Sequence, residues 1–403
     1  MTVLRNATLA DGRIADVSIA GGRIGAVTDP APGPGTDLTG YVLLPSFVEP
    51  HAHLDKALTA STVDNPTGDL LGAIRAMHAA ADRFTKDDIR RRADRAVRVM
   101  LAHGTTAIRT HVNVGSTMGM RALEALSEVR ADWAGLVDLQ LVALVGNPLG
   151  GEAGANLRDA LRSGADIAGG CPHLDPEPDK AVAICLDAAG EAGTPIDLHT
   201  DETLDPAKLT LATLADLVSR TGFEHGATAS HCVSLGVQPP DEQRRVSELV
   251  SAAGVAVVAL PQTNLFLQGR DHPVGTPRGL TAVHALRRAG ALVAAGGDNL
   301  RDPFHPVGRG DPLEVAALMV IAGHLGAADA VESVTAAPRA ALGLPAVAVE
   351  PGAPADLVAL RGEDLIAALG AADQDRLVWR GGRLVATTTV TRTLAAPPAR
   401  SHP

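Results

Sequence analysis

The sequence predicts an α/β fold: a (β/α)8 TIM barrel carrying a small β-sandwich built from both chain ends. Three observations predict it. Between residues 41 and 300, short apolar runs alternate eight times with longer helical patterns. The titratable residues gather at the C-terminal ends of those runs, where such barrels keep their chemistry. The two chain ends each hold a strand–Gly-Gly–strand pattern instead.

Taken in order, residues 1–40 contain "GRIADVSIAGGRIGAV", two short alternating strands joined by a hairpin signal. The eight apolar runs follow. They are "YVLLPSFVEPHAH" (41–53), "TTAIRTHVNV" (105–114), "LVDLQLVALVG" (136–146) and "ADIAGGCPH" (165–173). Then come "PIDLHTDE" (195–202), "GATASHCVSL" (226–235), "GVAVVALPQTN" (254–264) and "GALVAAGGDN" (290–299). Stretches such as "KDDIRRRADRAVRVMLAHG" and "PAKLTLATLADLVSRTG" repeat apolar residues at three and four and close on Gly, as amphipathic helices do. Residues 352–390 return to strands in "GAPADLVAL" and "LVWRGGRLVATTTV", and "AAPPARSHP" reads as a loose tail. The expected division is 1–45 with 346–403 for the small domain and 46–345 for the barrel.

Composition narrows the function. Hydrophobic residues make up 46% and aromatics only 2%, so the core must come from aliphatic side chains, which suits helices on a parallel sheet. A net charge of -11 with no basic block argues against nucleic acid. No apolar run is long enough for a membrane span, and no signal peptide is visible, so the expectation is a cytoplasmic protein, with homo-oligomerisation open. Three cysteines without C-x-x-C, all in apolar segments, read as buried free thiols.

The candidate chemistry lies at the strand ends. His51, His53, His111, His173, His199, Glu202, His231 and Asp298 all fall at or just past a run's end. A lone histidine there is more often a core residue; a set at successive strand ends is not. His51 and His53 share one face of a strand. Imidazoles with a carboxylate suit Zn²⁺ or Fe²⁺ with one position left open.

The ordered set "FVEPHAHLDKAL", "HTDET", "ASHC" and "GGDNLRDPFHPVG" resembles the amidohydrolase superfamily, and within it the cytosine deaminase-like branch. The likeness runs over nearly the whole chain. It implies one divalent metal ion (Zn²⁺ or Fe²⁺) on His51, His53, His199 and Asp298, since 165–173 lacks the lysine that bridges two metals in other members. It implies that Glu202 shuttles a proton to the substrate ring, that His231 orients the attacking water, and that Asp298 also accepts a proton. Glu202 could equally be a helix N-terminal carboxylate on its residues alone. The implied activity is hydrolytic deamination of an amino-substituted nitrogen heterocycle. Metal-activated hydroxide attacks the amino-bearing ring carbon and ammonia leaves. The alternative is cleavage of a cyclic amide or of an N-alkylamino substituent on a triazine or pyrimidine.

Substrate-reading positions depart from that branch. Its strand-3 glutamine is replaced by Gly146, with Asn147 adjacent; its second strand-8 aspartate by Asn299; a following tryptophan by Phe304. The run "HLDK" resembles branch members acting on amino-triazines, the isopropylammelide isopropylaminohydrolases, and points to Lys56 as a contact for a carbonyl edge, against a rim lysine paired with Glu49 or Asp55. Gln262 and Asn264 complete the candidate substrate contacts, Arg270 braces their loop, and Ser230 is strand packing. Cytosine is expected to be a poor substrate.

Overall fold

The computed structural model describes residues 2–115, 118–372 and 375–394. From the N-terminal end come β1 (Thr2–Thr8), β2 (Ile14–Ala20), β3 (Arg23–Thr28), β4 (Thr36–Asp37) and β5 (Tyr41–Pro45). The barrel follows with β6 (Phe47–Ala52), β7 (Thr105–Asn113), β8 (Asp138–Leu144), β9 (Ile167–Gly170), β10 (Ile196–Thr200), β11 (Ala227–His231), β12 (Ala256–Ala259) and β13 (Val293–Ala295). Finally β14 (Leu357–Arg361), β15 (Arg376–Arg380) and β16 (Arg383–Thr388) rejoin the N-terminal strands. The tail read as loose, 395–403, lies outside the described residues.

Strands β6 to β13 pair in parallel, each with its chain neighbour. The helices between them close the barrel's outside by burying one face. The helix Lys86–Ala102 is capped by Thr85, whose hydroxyl accepts the Asp88 N–H. It buries Ile89, Ala93, Ala96, Val97 and Met100. The helix Thr210–Thr221 ends on Gly222 at φ 65°, a left-handed stop that suits glycine, and buries Leu211, Leu214, Ala215 and Val218. Truncating Leu214 to alanine would cost about 2–5 kcal/mol. Among the described residues no helix is long and apolar enough to cross a membrane.

The barrel closes irregularly. Between β13 and β6 one backbone bond forms at the C-terminal rim, from Asp298 N–H to His51 O at 3.0 Å, where Ala52 bridges Asp298. Toward the N-terminal ends the two strands part. There Val48 N–H donates to Val334 O at 3.1 Å and Ala295 N–H to Ser333 O at 2.7 Å, so the segment after the helix Ala327–Glu332 fills the gap.

The small domain's strands belong to a single sheet folded over a shared core, ordered β16-β15-β14-β5-β1-β2-β3 with β4 on β1. Two hairpins turn on Gly21-Gly22 (φ 58° and 78°) and Gly381-Gly382 (φ 54° and 72°), where both positions need positive φ. The fold-over brings β3 back to the chain entering β14. Ile24 N–H donates to Ala353 O, and Gly352 N–H to Ile24 O. Leu4, Val17, Ile19, Ile24, Leu43, Leu357 and Trp379 fill the inside. The apolar run 41–53 serves both units, because Ser46 breaks it. Tyr41–Pro45 pairs with β14, and Phe47–Ala52 opens the barrel. Buried Arg376 locks the two units by a two-pronged pair with Asp311 at 2.8 and 2.6 Å.

Candidate active site

Four strand ends, those of β6, β10, β11 and β13, deliver six polar side chains to one mouth. His51 ends β6, His53 follows one turn of chain later, and His199 lies in β10. Glu202 is just past β10, His231 ends β11, and Asp298 lies three residues past β13. Three of these turns need left-handed backbone on residues with side chains: Asp201 (φ 51°), His231 (φ 71°) and Asp298 (φ 63°). Such conformations cost of order 1–3 kcal/mol each, and they concentrate here.

Four ligand-type atoms converge. His199 Nε2 lies 3.2 Å from His51 Nε2 and 3.1 Å from His53 Nε2. Asp298 Oδ1 lies 3.2 Å from His53 Nε2 and 3.7 Å from His51 Nε2. A tetrahedral cation with bonds of about 2.0–2.1 Å sets its ligand atoms about 3.3 Å apart, so the donor set fits a divalent metal in both chemistry and spacing. A metal binds the neutral imidazole. Burial first, and then the neighbouring imidazoles, hold His51 and His199 well below the ordinary imidazole value. Burial pushes Asp298 up, but the His53 contact outweighs it and leaves the carboxyl below its usual range.

A buried relay supports His51 from behind. Its Nδ1 lies 2.8 Å from Ser230 Oγ. Ser230 donates to Asp197 Oδ1 at 3.0 Å, and Arg109 donates to Asp197 Oδ2 at 2.8 Å. With the serine proton spent on Asp197, His51 must donate through Nδ1, which leaves Nε2 as the free lone pair. Ser230, read from the sequence as strand packing, therefore sets a tautomer. A hydroxyl in a strand carries no sequence signal for this. His173 similarly contacts the backbone, its Nδ1 lying 3.1 Å from His199 O. His111 stacks on His51 with ring centroids 3.9 Å apart; among the described residues neither of its nitrogens makes a hydrogen bond, and Nε2 lies 3.7 Å from Asp197 Oδ1.

Glu202 and His231 face each other across the mouth, Oε1 to Nδ1 at 3.5 Å. His231 Nδ1 also lies 3.0 Å from Asn264 Oδ1, so Nδ1 carries the proton and Nε2 is left as an acceptor, 3.9 Å from Asp298 Oδ2. Burial, and next the charge of Asp298, raise Glu202 well above the usual carboxylate range. Gln268, unremarked in the sequence, donates to Glu202 O at 3.1 Å and holds its backbone.

The remaining candidates divide into two groups. Lys56 is 6% exposed, and among the described residues its ammonium makes no ion pair or hydrogen bond. Both rim partners considered for it are engaged elsewhere. Asp55 accepts from Asn113, and Glu49 from His51 N–H and Gly297 N–H. The Lys56 ammonium instead sits 4.6 Å from the centre of the Phe304 ring. Its charge lowers Glu202, Asp298 and Asp302, so it lies among them. The amides are tied to protein. Asn299 accepts from Thr263 and donates to Asp302, Gln262 donates to Glu314 at 2.7 Å, and exposed Asn147 donates to Cys171 O. Arg270 donates to Phe266 O, within its own loop. Of the thiols, Cys185 and Cys232 are buried, while Cys171 is partly exposed because it caps β9 beside the mouth.

A family profile described as the amidohydrolase family matches residues 60–386. A pterin deaminase of Rhizobium rhizogenes is 36% identical over 387 residues, covering 94% of this chain and 86% of the relative. A 5-methylcytosine deaminase of Klebsiella pneumoniae, liganded with 5-fluorocytosine, superimposes with a TM-score of 0.89 at 29% identity. That match covers 98% of this chain and 99% of the other. An N-isopropylammelide isopropylaminohydrolase of Burkholderia multivorans gives 0.81 at 31% identity, over 96% and 99%.

Proposed function

The chain belongs to the amidohydrolase family, and from that premise we propose that it deaminates a bicyclic 2-amino-4-oxo heterocycle of the pterin class. One observation carries the reading: a buried ammonium, Lys56, without an ionic or hydrogen-bonding partner among the described residues, stands beside Glu202, a carboxyl that burial raises well above its usual range, next to four converging ligand atoms. A pterin offers a carbonyl for the first and a ring nitrogen for the second. The pterin deaminase relative supports this class.

His51, His53, His199 and Asp298 hold a single Zn²⁺ or Fe²⁺ in this reading. When bound, such a cation supplies the Lewis acidity that makes water a nucleophile near neutral pH. His231 accepts a hydrogen bond from the attacking water at Nε2, which turns the water's lone pair toward the amino-bearing carbon, and Asp298 takes one of its protons. Glu202 donates its proton to the ring nitrogen beside that carbon. The carbon–oxygen bond forms with these transfers; the carbon–nitrogen bond then breaks as Asp298 passes the first water proton to the amino group, which leaves as ammonia, while Glu202 takes the second and the carbonyl remains. Lys56 holds the ring carbonyl throughout, and Phe304 carries the lysine.

A second reading is removal of an N-alkylamino group. The shared H-x-H-L-D-K run and the isopropylaminohydrolase structure favour it. Protein reconstituted with Zn²⁺ or Fe²⁺ separates the two when offered pterin, isocytosine, cytosine, 5-methylcytosine and N-isopropylammelide, with ammonia and isopropylamine measured separately. Ammonia from pterin at kcat/KM above ~10⁴ M⁻¹s⁻¹, within the ordinary enzyme range, supports the first. Isopropylamine alone establishes the second. Neither product from any of the five refutes both.

A further inference from the structure

The metal-ligand set is divided by the barrel's irregular closure. His51 and His53 stand on the β6 side and Asp298 on the β13 side. Among the described residues the backbone contact between them at this level is a single isolated bridge, Ala52 with Asp298, carried by the Asp298 N–H to His51 O bond. A regular ladder would hold the two sides at fixed spacing; here that ladder is missing.

A side chain stands in for it. Glu49 is 3% exposed, and its carboxyl group, which burial pushes up to about 8, spans the gap. Oε1 accepts His51 N–H at 3.1 Å on its own strand, and Oε2 accepts Gly297 N–H at 2.9 Å on the other. Among the described residues no lysine or arginine pairs with it, and backbone N–H groups face it from both sides of the seam. The facing chain is shaped to admit it. A Cβ at Gly296 would lie 2.5 Å from Glu49 Oε1, and one at Gly297 would lie 3.1 Å from Oε2. Neither glycine needs positive φ, so space around the carboxyl group, and not backbone freedom, calls for them.

We propose that Glu49 is a positioning residue that sets the distance between the His51–His53 pair and Asp298 across the barrel seam. The role rests on the metal reading above. Ligand sites tolerate displacements of only about 0.5 Å before affinity falls, and removing a group that orients a ligand typically costs ~10–100-fold in metal affinity.

Three variants test it: Glu49→Gln, Glu49→Asp and Gly296→Ala. The glutamine keeps its size but turns one arm into a donor facing a donor. The alanine leaves Glu49 intact and denies it its place. Zn²⁺ affinity is read by competition with a chromophoric chelator, and the fold by circular dichroism and melting of the metal-free proteins. Glu49→Gln and Gly296→Ala are each expected to bind Zn²⁺ ~10–100-fold more weakly, with Glu49→Asp between them and wild type. Metal-free melting should stay within about 5 °C. Loss of stability with Zn²⁺ affinity within about threefold of wild type, roughly 0.7 kcal/mol, would make Glu49 a structural residue only and overturn the proposal. Should the variants fail to fold, hydrogen exchange on the wild type decides. Slower exchange of the Gly297 and His51 amides on Zn²⁺ binding supports the coupling, and exchange indifferent to Zn²⁺ overturns it. A wild type that takes up no metal overturns both this proposal and the metal reading, whereas wild-type affinity in the variants overturns this one alone.

Discussion

Replacing Lys56 by methionine should make the protein more stable and a worse enzyme. The ammonium is buried, without an anionic partner among the described residues, on a stem that methionine reproduces closely in volume. Exchanging a buried charge for a well-packed apolar side chain gains about 1–4 kcal/mol. The contact with the Phe304 ring at 4.6 Å is lost in return, at about 1 kcal/mol. The net gain is about 0–3 kcal/mol. At an unfolding entropy of ~2.1 cal/mol/K per residue, that raises the melting temperature of a chain this long by up to about 3.5 °C. Catalysis moves the other way. A hydrogen bond from an ammonium to a carbonyl is worth about 1.5–3 kcal/mol, so kcat/KM on a pterin should fall ~10–150-fold. Lys56 also lowers Glu202, so its removal should shift the alkaline limb of the rate profile to higher pH. Calorimetry of the metal-free protein and steady-state ammonia release measure the two effects. A less stable variant with unchanged kinetics and an unmoved limb would show that the lysine serves the fold and not the substrate.

Three further outcomes are expected. Glu202→Gln should keep its metal and its fold while losing ~10²–10⁴-fold in kcat, checked by elemental analysis beside turnover. Because the acid form of Glu202 is the active one and its pKa is raised, wild-type activity should be retained well above the usual carboxylate range and lost as pH rises through the folded value, a limb absent from the glutamine variant. Ser230→Ala removes the acceptor for His51 Nδ1 and should weaken Zn²⁺ binding ~10–100-fold, read by chelator competition. Burial pushes Asp302 up to about 6, so the folded state holds its proton longer than the unfolded chain. Stability of the metal-free protein should therefore fall as pH rises from about 4 to 6 on this group's account, and Asp302→Asn should flatten that slope in denaturant titrations.

Much of this was legible beforehand. Eight strand–helix repeats announce a barrel because the period of the apolar residues changes from run to run. The histidines and Asp298 stand out because titratable groups at strand ends have few structural reasons to be there. What stayed hidden depends on distance between residues far apart in sequence. Ser230 looks like any small residue in a strand until His51 and Asp197 are placed on either side of it. Asn264 reads as a substrate contact until its oxygen is found against His231. Glu49 passes for a rim charge because the missing ladder that it replaces is a property of closure, which no single segment carries. The break at Ser46 is invisible for the same reason, since a run apolar on both sides gives no hint that its halves join different sheets.

That break has a consequence for how the chain comes off the ribosome. Tyr41–Pro45 and Phe47–Ala52 are adjacent in the chain, yet each needs a partner from the far end. The first pairs with Leu357–Arg361, and the second meets Asp298 and Val334. During synthesis both edges stay open until almost the whole polypeptide has emerged, for some 12–60 s at ~5–20 residues per second. Unpaired, apolar strand edges are templates for neighbouring chains. Truncation anywhere before residue 357 leaves the edge of β5 permanently uncovered. Such fragments should collect in inclusion bodies even when every residue of the catalytic mouth is present, whereas co-expressing the missing C-terminal piece should return part of the protein to the soluble fraction.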